Sequence, residues 1–381
     1  MKMHRIIAGL AVCGAMLATL AGCEGDYDVD YQRVYFDQAA NSSVAKLAVE
    51  AGADTKTTLT VRLVKPQSET VVATLGLDPA LVEEYNSKNG AGYEALPEKY
   101  VEYTQKVTLK AGESTFPIEL LIKPFETPNG ENYAIPMRIL SVDGPVQPSA
   151  ASSKLLFLLD KPIVQFVPEM VSASHPVTES IGDDSKNWNQ QTNDWSLECW
   201  VWMSGFQINN QAIFNFKAST EIYIRFGDTP IPYNSLQIKY MGTQNNTTTL
   251  FTKDTWNHIA FTYNGASGDL SVYVNGTKDF TVTTDGGPVT FNGMEMVSSG
   301  SSWFLDKCRM GQVRLWKKAL SATELNANML SMAKPTDPNL MGYWKLDEGT
   351  GLVFKDCTPN ERHMTAAGSV TWIPDTRFDG K

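Results

Sequence analysis

Residues 256–276, WNHIAFTYNGASGDLSVYVNG, leave a chain few ways to fold. Ile259, Phe261 and Tyr263 alternate with small or polar neighbours, the period of a strand with one buried face. Residues 264–269 (NGASGD) then break the run with side chains that tolerate positive φ and bond locally to the backbone. Leu270, Val272 and Val274 resume the alternation, and Asn275-Gly276 is a strong hairpin signal leading into a third strand over 277–282. The product is an antiparallel meander with one apolar face, and such a face needs a second sheet to cover it. The expected class is all-β.

The same stretch resembles the central hairpin of laminin G-like domains in the concanavalin A-like jelly-roll superfamily. Three further segments are similar to that family in the same order: WSLECWVW (195–202), MGQVRLWKKALSATEL (310–325) and LMGYWKLDEGTG (340–351). Four ordered motifs are far more specific than one. The resemblance implies a jelly-roll β-sandwich over 161–381. Within it Ser321-Ala322-Thr323-Glu324 is a capping box, predicting a short helix that runs to about Met332 and stops before Lys334-Pro335.

Residues 34–160 form the other expected domain. Strands are predicted over 59–64, 133–142 and 154–159, and Asp78-Pro79 opens a helix over 80–88 that Asn89-Gly90 closes. Residues 106–109 and 116–122 flank Ala111-Gly112-Glu113, which reads as a hairpin by turn chemistry. With LVEEYN (81–86), Leu96-Pro97 and Ala134-Ile135-Pro136, the region resembles the DUF1735 domain of surface lipoproteins from gut Bacteroides. That resemblance implies an immunoglobulin-like sandwich serving as a spacer, with no chemistry of its own.

The N-terminus speaks to address. Lys2, His4 and Arg5 precede an apolar run over 6–20, and Leu20-Ala21-Gly22-Cys23 matches the lipobox of bacterial lipoproteins. The run is short for a membrane span and ends in small residues, as a signal peptide does. Residues 1–22 are therefore expected to be removed and Cys23 to be lipidated, several acyl chains giving a stable anchor. An ordinary secretory signal with a chance cysteine is the plainer alternative. Residues 23–33 form an acidic tether whose Glu24, Asp26, Asp28 and Asp30 resemble the export signal that sends lipoproteins of Bacteroidota to the cell surface. The expected location is the outer membrane, facing the exterior; a solvated linker in a periplasm-facing lipoprotein is the alternative. Tyr31 stands where an EF-hand loop needs glycine, so calcium is not expected there. The formal net charge of −10 includes Lys2 and Arg5, so the processed chain is more acidic still, which disfavours nucleic acid.

Catalysis finds little support. Catalytic concanavalin A-like glucanases use an E-x-D-x-x-E strand, whose alternate spacing puts both acids on one face; Glu198 is the lone acid of WSLECWVW. Asp347 and Glu348 are adjacent and would face opposite ways on a strand. His4, His175, His258 and His363 do not cluster at ligand spacing, and H-E-x-x-H and G-x-S-x-G are missing, as is the D-x-x-D-x-D-x-E strand of glycosidases that share the N-terminal domain. A non-catalytic binding module is the expectation, with a glycan as ligand.

Sugar sites on such sandwiches pair an aromatic platform with polar side chains for the hydroxyls. Trp195, Trp200, Trp256, Trp316 and Trp344 fall on positions that the resemblance implies are core. Trp188 and Trp303 lie in loop-like compositions, and Tyr233 and Tyr240 flank a polar stretch, so these four are the candidate platforms. Packing beneath their own loops is the competing role for each. Calcium is a second candidate ligand, since several laminin G-like domains hold it at a loop rim; Asp306, Asp347 and Asp356 offer oxygens, although turn formation accounts for them equally, and Gln312 stands where the family often has Asp. No metal ligand is assigned. After Cys13 and Cys23, Cys199, Cys308 and Cys357 remain, which permits at most one bridge. Three alternatives stay open: an adhesin for a protein or host-matrix partner, a structural subunit of an outer-membrane complex, and a glycoside hydrolase whose acid pair is assembled from distant strands.

Overall fold

The computed structural model describes residues 32–50, 52–89, 91–127, 130–178 and 188–380. Strands make up 51% of it and helices 8%, which bears out the all-β expectation. Cys23 and the acidic residues 24–30 lie outside the described residues.

The N-terminal part is a two-sheet sandwich. One sheet centres on Thr55–Leu63, between Arg33–Phe36 and Thr115–Ile122; the other centres on Asn132–Asp143, between Val71–Leu77 and Lys154–Asp160. Period-two alternation puts Leu59, Val61, Ile118 and Leu120 of the first sheet against Ala73, Leu75, Met137 and Phe157 of the second. The helix forms over Ala80–Asn89, with the Ala80 amide donating to Asp78 Oδ1. The hairpin expected around Gly112 is corrected. Lys106–Leu109 pairs with Val71–Leu77, whereas Thr115–Ile122 pairs with Thr55–Leu63, so the turn crosses from one sheet to the other. Turn chemistry reports that the chain reverses; it does not report whether the flanking strands bond to each other or face each other across a core.

The C-terminal part is the larger sandwich. Its meander sheet runs in the order Thr277–Thr283, Asp269–Val274, Asn257–Asn264, Asp194–Met203, Cys308–Trp316, Val164–Met170, Thr371–Arg377. Asn275 (φ 49°) and Gly276 (φ 76°) form the expected two-residue turn, and Asn326 Oδ1 lies 2.1 Å from where a Cβ on Gly276 would stand. The opposing sheet includes Thr243–Leu250, Ser235–Tyr240, Ile222–Phe226, Gln211–Ala218 and Val289–Met296 as successive neighbours. Leu197, Phe261 and Val272 meet Phe214, Ile224 and Ile238 in the shared core.

The outward face of the meander sheet is covered by its own chain. Ser321 caps the helix Ala322–Asn328, its Oγ accepting from the Glu324 amide while Glu324 Oε2 accepts from the Ser321 amide. The helix ends before the expected Met332, and the Met329 carbonyl then accepts from the Trp200 indole at 2.9 Å. Cys199, Cys308 and Cys357 are all free thiols, the first two buried, so no bridge joins Cys308 to Cys357. The two sandwiches touch: Lys161 Nζ donates to the Phe125 carbonyl, and a Cβ on Gly130 would collide with the Ala333 carbonyl. A cleft of about 930 Å³ runs along this joint, lined by Tyr93, Asn132, Lys161 and Met332 among others.

Candidate functional site

Among the described residues the opposing sheet has no such cover, and its outward side chains compose a candidate site. Ile222, Ile224 and Phe226 point into the core, which forces Tyr223 and Arg225 outward. On the next strand Leu236, Ile238 and Tyr240 point inward, so Gln237 and Lys239 point outward. Strand register then aligns two rows across the sheet. One row is Arg225, Gln237, Asn246; the other is Glu295, Asn215, Tyr223, Lys239, Gln244. Cross-strand neighbours of this kind are within side-chain reach.

Arg225 organises the first row. Its Nε donates to Gln237 Oε1 at 2.8 Å, one terminal nitrogen to Asn210 Oδ1 at 2.7 Å, and the other to Asp228 Oδ2 at 2.5 Å. Gln237 Nε2 donates to Asn246 Oδ1 at 2.6 Å, Gln244 Nε2 donates to Asp228 Oδ2 at 2.8 Å, and the Tyr223 hydroxyl donates to Asn210 Oδ1 at 3.1 Å. Burial pushes the Asp228 carboxyl up, but the Thr229 amide, the Arg225 guanidinium and the two glutamine amides outweigh it and hold the group below its ordinary value. Glu295, in the second row, accepts from Asn215 Nδ2 at 3.2 Å and stands 3.6 Å from Lys217 Nζ. A general acid needs a raised pKa; Asp228, lowered and bonded, is suited to anchoring.

Loops at one end of this sheet carry the exposed aromatics. Asp306 is buried, and its carboxylate accepts from the Gln207 amide, Gln207 Nε2 and Gln211 Nε2, while Gln211 Oε1 accepts from the Leu305 and Asp306 amides. This exchange ties loop 204–210 to loop 298–307, the loop that bears Trp303. Trp303 is 46% exposed and Tyr233 42% exposed, with Leu250 and Leu305 also open to solvent. Tyr233 follows the Ile222–Phe226 strand, in the connection whose Gly227 approaches the backbone of Asn209 and Tyr233.

The structure separates the four candidate platforms into two pairs. Tyr233 and Trp303 are exposed at this end of the sheet. Tyr240 and Trp188 are core residues, a correction of the expectation. Tyr240 is fully buried, its hydroxyl accepting from the Trp195 indole at 3.1 Å; it shares parity with Leu236 and Ile238, and that parity was the sequence signal for burial. Trp188 packs into the core with the Arg362 guanidinium 5.0 Å from its ring centroid. Asn210, Tyr223, Arg225, Asp228, Gln237 and Asn246 were not among the expected site residues, although the alternation in EIYIRF and SLQIKY marks three of them as outward.

The remaining candidates are engaged elsewhere. Asp356 accepts from the amides of Tyr343, Thr358 and Arg362, and Gln312 bonds Gln165, Arg314 and Tyr343. Among the described residues no three of His, Cys, Asp and Glu gather as a metal site. Glu198 is fully buried on the covered face of the meander sheet, bonded by Trp316 and Arg314.

Residues 180–326 match the family model of the concanavalin A-like lectin/glucanases superfamily, and residues 29–146 match a model for an N-terminal domain. A candidate carbohydrate-binding protein from Bacteroides ovatus ATCC 8483 is 24% identical, with TM-score 0.64 over 92% of this chain and 100% of that one. A heptameric SAP-like pentraxin from Limulus polyphemus is 12% identical, with TM-score 0.37 over 55% of this chain and 95% of that one. A multidomain protein including DUF1735 from Bacteroides ovatus is 10% identical, with TM-score 0.29 over 78% and 99%. The first likeness establishes a shared fold. No curated protein sequence matches the chain. Behind its N-terminal sandwich, the chain thus carries a C-terminal laminin G-like/concanavalin A-like domain.

Proposed function

We propose that this chain is a non-catalytic, cell-surface lipoprotein that captures a glycan on the outward face of the opposing sheet. The observation that carries the reading is the register-aligned field of amides and tyrosine around the buried Arg225 and Gln237, which reaches solvent at Tyr223, Gln244 and Asn246 and has the exposed Tyr233 and Trp303 in loops at one end of the sheet. Sugars present hydroxyls that both donate and accept, and an apolar ring face; amides and exposed aromatics complement the two. The Bacteroides ovatus protein, for which carbohydrate binding has been suggested, has the same overall fold, which is consistent with this reading. Lipidation at Cys23, an outer-membrane anchor and exposure to the exterior are part of the proposal and rest on the sequence of residues 1–30.

The test is a glycan-array screen of the chain beside Arg225→Ala. A specific hit weakened about tenfold or more in the variant is expected; a hit that survives unchanged moves the site off this face, and a blank array with folded protein removes the function. Labelling of cells with radioactive palmitate, lost in Cys23→Ala, checks the anchor. The adhesin reading draws on one feature, the exposed Leu250, Trp303 and Leu305, which together with Tyr233 suit a protein surface. Pull-down from the cell surface with and without competing glycan separates the two readings.

A further inference from the structure

The charges on the opposing sheet say which kind of glycan fits. We infer that this face takes a neutral glycan and discriminates against uronate, sulfated or sialylated ones; the inference rests on the glycan-binding reading above. Recognition of a carboxylate or sulfate calls for an arginine fork with free N–H groups. Arg225 presents no such fork to solvent: three of its five N–H groups are bonded within the protein and the side chain is buried. It is 8% exposed, and its Nε and both terminal nitrogens are committed to Gln237, Asn210 and Asp228. An anion arriving there meets the Asp228 carboxylate already in place, itself bonded by Gln237 and Gln244.

The second row is balanced in the same way. Lys217 pairs with Glu295, and Glu221 sits exposed beside the start of the Ile222–Phe226 strand. Among the described residues Lys239 carries no ion pair, leaving a single flexible ammonium, which attracts anions through bulk solvent but does not orient them. Beyond the site, the formal net charge of −10 opposes the approach of a polyanion.

What remains for a ligand is uncharged. Asn246 uses its Oδ1 toward Gln237, Gln244 its Nε2 toward Asp228, and Asn215 its Nδ2 toward Glu295. Their other ends, Asn246 Nδ2, Gln244 Oε1 and Asn215 Oδ1, are one donor and two acceptors with no protein partner among the described residues, at positions half-buried or exposed. Hydroxyls satisfy such groups in either sense, because each donates and accepts.

The experiment is affinity gel electrophoresis of the full chain against neutral polysaccharides (mannan, arabinoxylan, soluble starch) and acidic ones (polygalacturonate, chondroitin sulfate, heparin), at low and high salt. The expected result is retardation by a neutral polysaccharide that changes less than about twofold with salt. Gln244→Ala, at an exposed position, should weaken that retardation, and it guards against misfolding of an Arg225 variant. Asp228→Asn should remove the negative charge that offsets the guanidinium and raise affinity for the acidic set about tenfold at low salt, a gain that loss of structure alone would not produce. Binding confined to acidic polysaccharides overturns the inference and leaves glycan capture standing. Failure of both sets to retard folded protein overturns glycan capture and the inference with it.

Discussion

Both outward faces of the jelly roll carry an arginine set against a carboxylate, and the two clusters could hardly be treated more differently. On the meander sheet Arg314 and Glu198 are sealed. Arg314 stands 3.4 Å from Glu198 Oε1 and donates to the carbonyls of Asn328 and Ser331, so the segment after the capped helix lies across it as a lid of backbone. The Trp316 indole donates to Glu198 Oε1 at 3.0 Å, and His258 Nε2 stands 3.4 Å from Glu198 Oε2 without hydrogen-bond alignment. On the opposing sheet Arg225 and Asp228 are joined as tightly, yet the amides around them end in free valences at the surface. The difference is the covering segment. A charge pair that the chain itself covers is a fastening; one ringed by amides that reach the surface leaves those amides available to a ligand.

If the sealed cluster is a fastening, Glu198→Gln should strand the Arg314 charge and destabilise the fold by about 3–5 kcal/mol. Urea unfolding measures it, and a loss under about 1 kcal/mol would break the comparison. Acid makes the same point. Burial pushes the Glu198 carboxyl up, but His258, Arg314 and the Trp316 indole outweigh it and hold it below its ordinary value. A depressed folded-state pKa means that its stabilisation is present above the unfolded value, near 4.3, and is lost as pH falls through the folded value. Wild type should therefore weaken below about pH 4.3, at up to ~1.4 kcal/mol per pH unit for this proton, with a shallower slope in Glu198→Gln. Equal slopes would show that the carboxylate is not what acid titrates there.

Tyr240 probes the boundary between faces, since it is neighbour in sequence to outward Lys239 and points the other way. Tyr240→Phe leaves the buried Trp195 indole without its acceptor, so a stability loss of about 1–3 kcal/mol is expected with glycan affinity unchanged. A change in affinity alone would return Tyr240 to the binding surface.

The faces also show what a sequence discloses. The meander was legible because Ile259, Phe261 and Tyr263 repeat at the strand period and Asn275-Gly276 specifies its turn, both local properties. The capping box at Ser321 was legible for the same reason. The sheet-crossing turn at Gly112 was not, because pairing is decided by partners distant in sequence: Val71–Leu77 for one strand and Thr55–Leu63 for the other. Trp188 looked like a loop aromatic since its neighbours are polar; the Arg362 stack and the core beneath it come from far along the chain. The candidate site fell between these cases. Alternation did assign Arg225 and Gln237 to the outer face, but the register that aligns Arg225, Gln237 and Asn246 into a row is a property of the assembled sheet.

Trp303 offers the finest division between fastening and function. It is exposed, it lies in a loop held by the Asp306–Gln211 exchange, and it bonds through its backbone, its amide donating to the Gly300 carbonyl and its carbonyl accepting from Ser299 Oγ. Truncation to alanine removes a ring from solvent and leaves those bonds in place, so stability should move by less than about 0.5 kcal/mol. Affinity should fall if the ring stacks on a sugar, by roughly 1 kcal/mol or about fivefold to tenfold. Isothermal titration with the best neutral polysaccharide, beside a urea curve for the same variant, reads the two quantities separately. A weakened ligand on an unshaken fold places Trp303 at the binding surface; unchanged affinity confines binding to the amide rows, and a fold shaken by more than 1 kcal/mol would mean that this exposed ring, too, is a fastening.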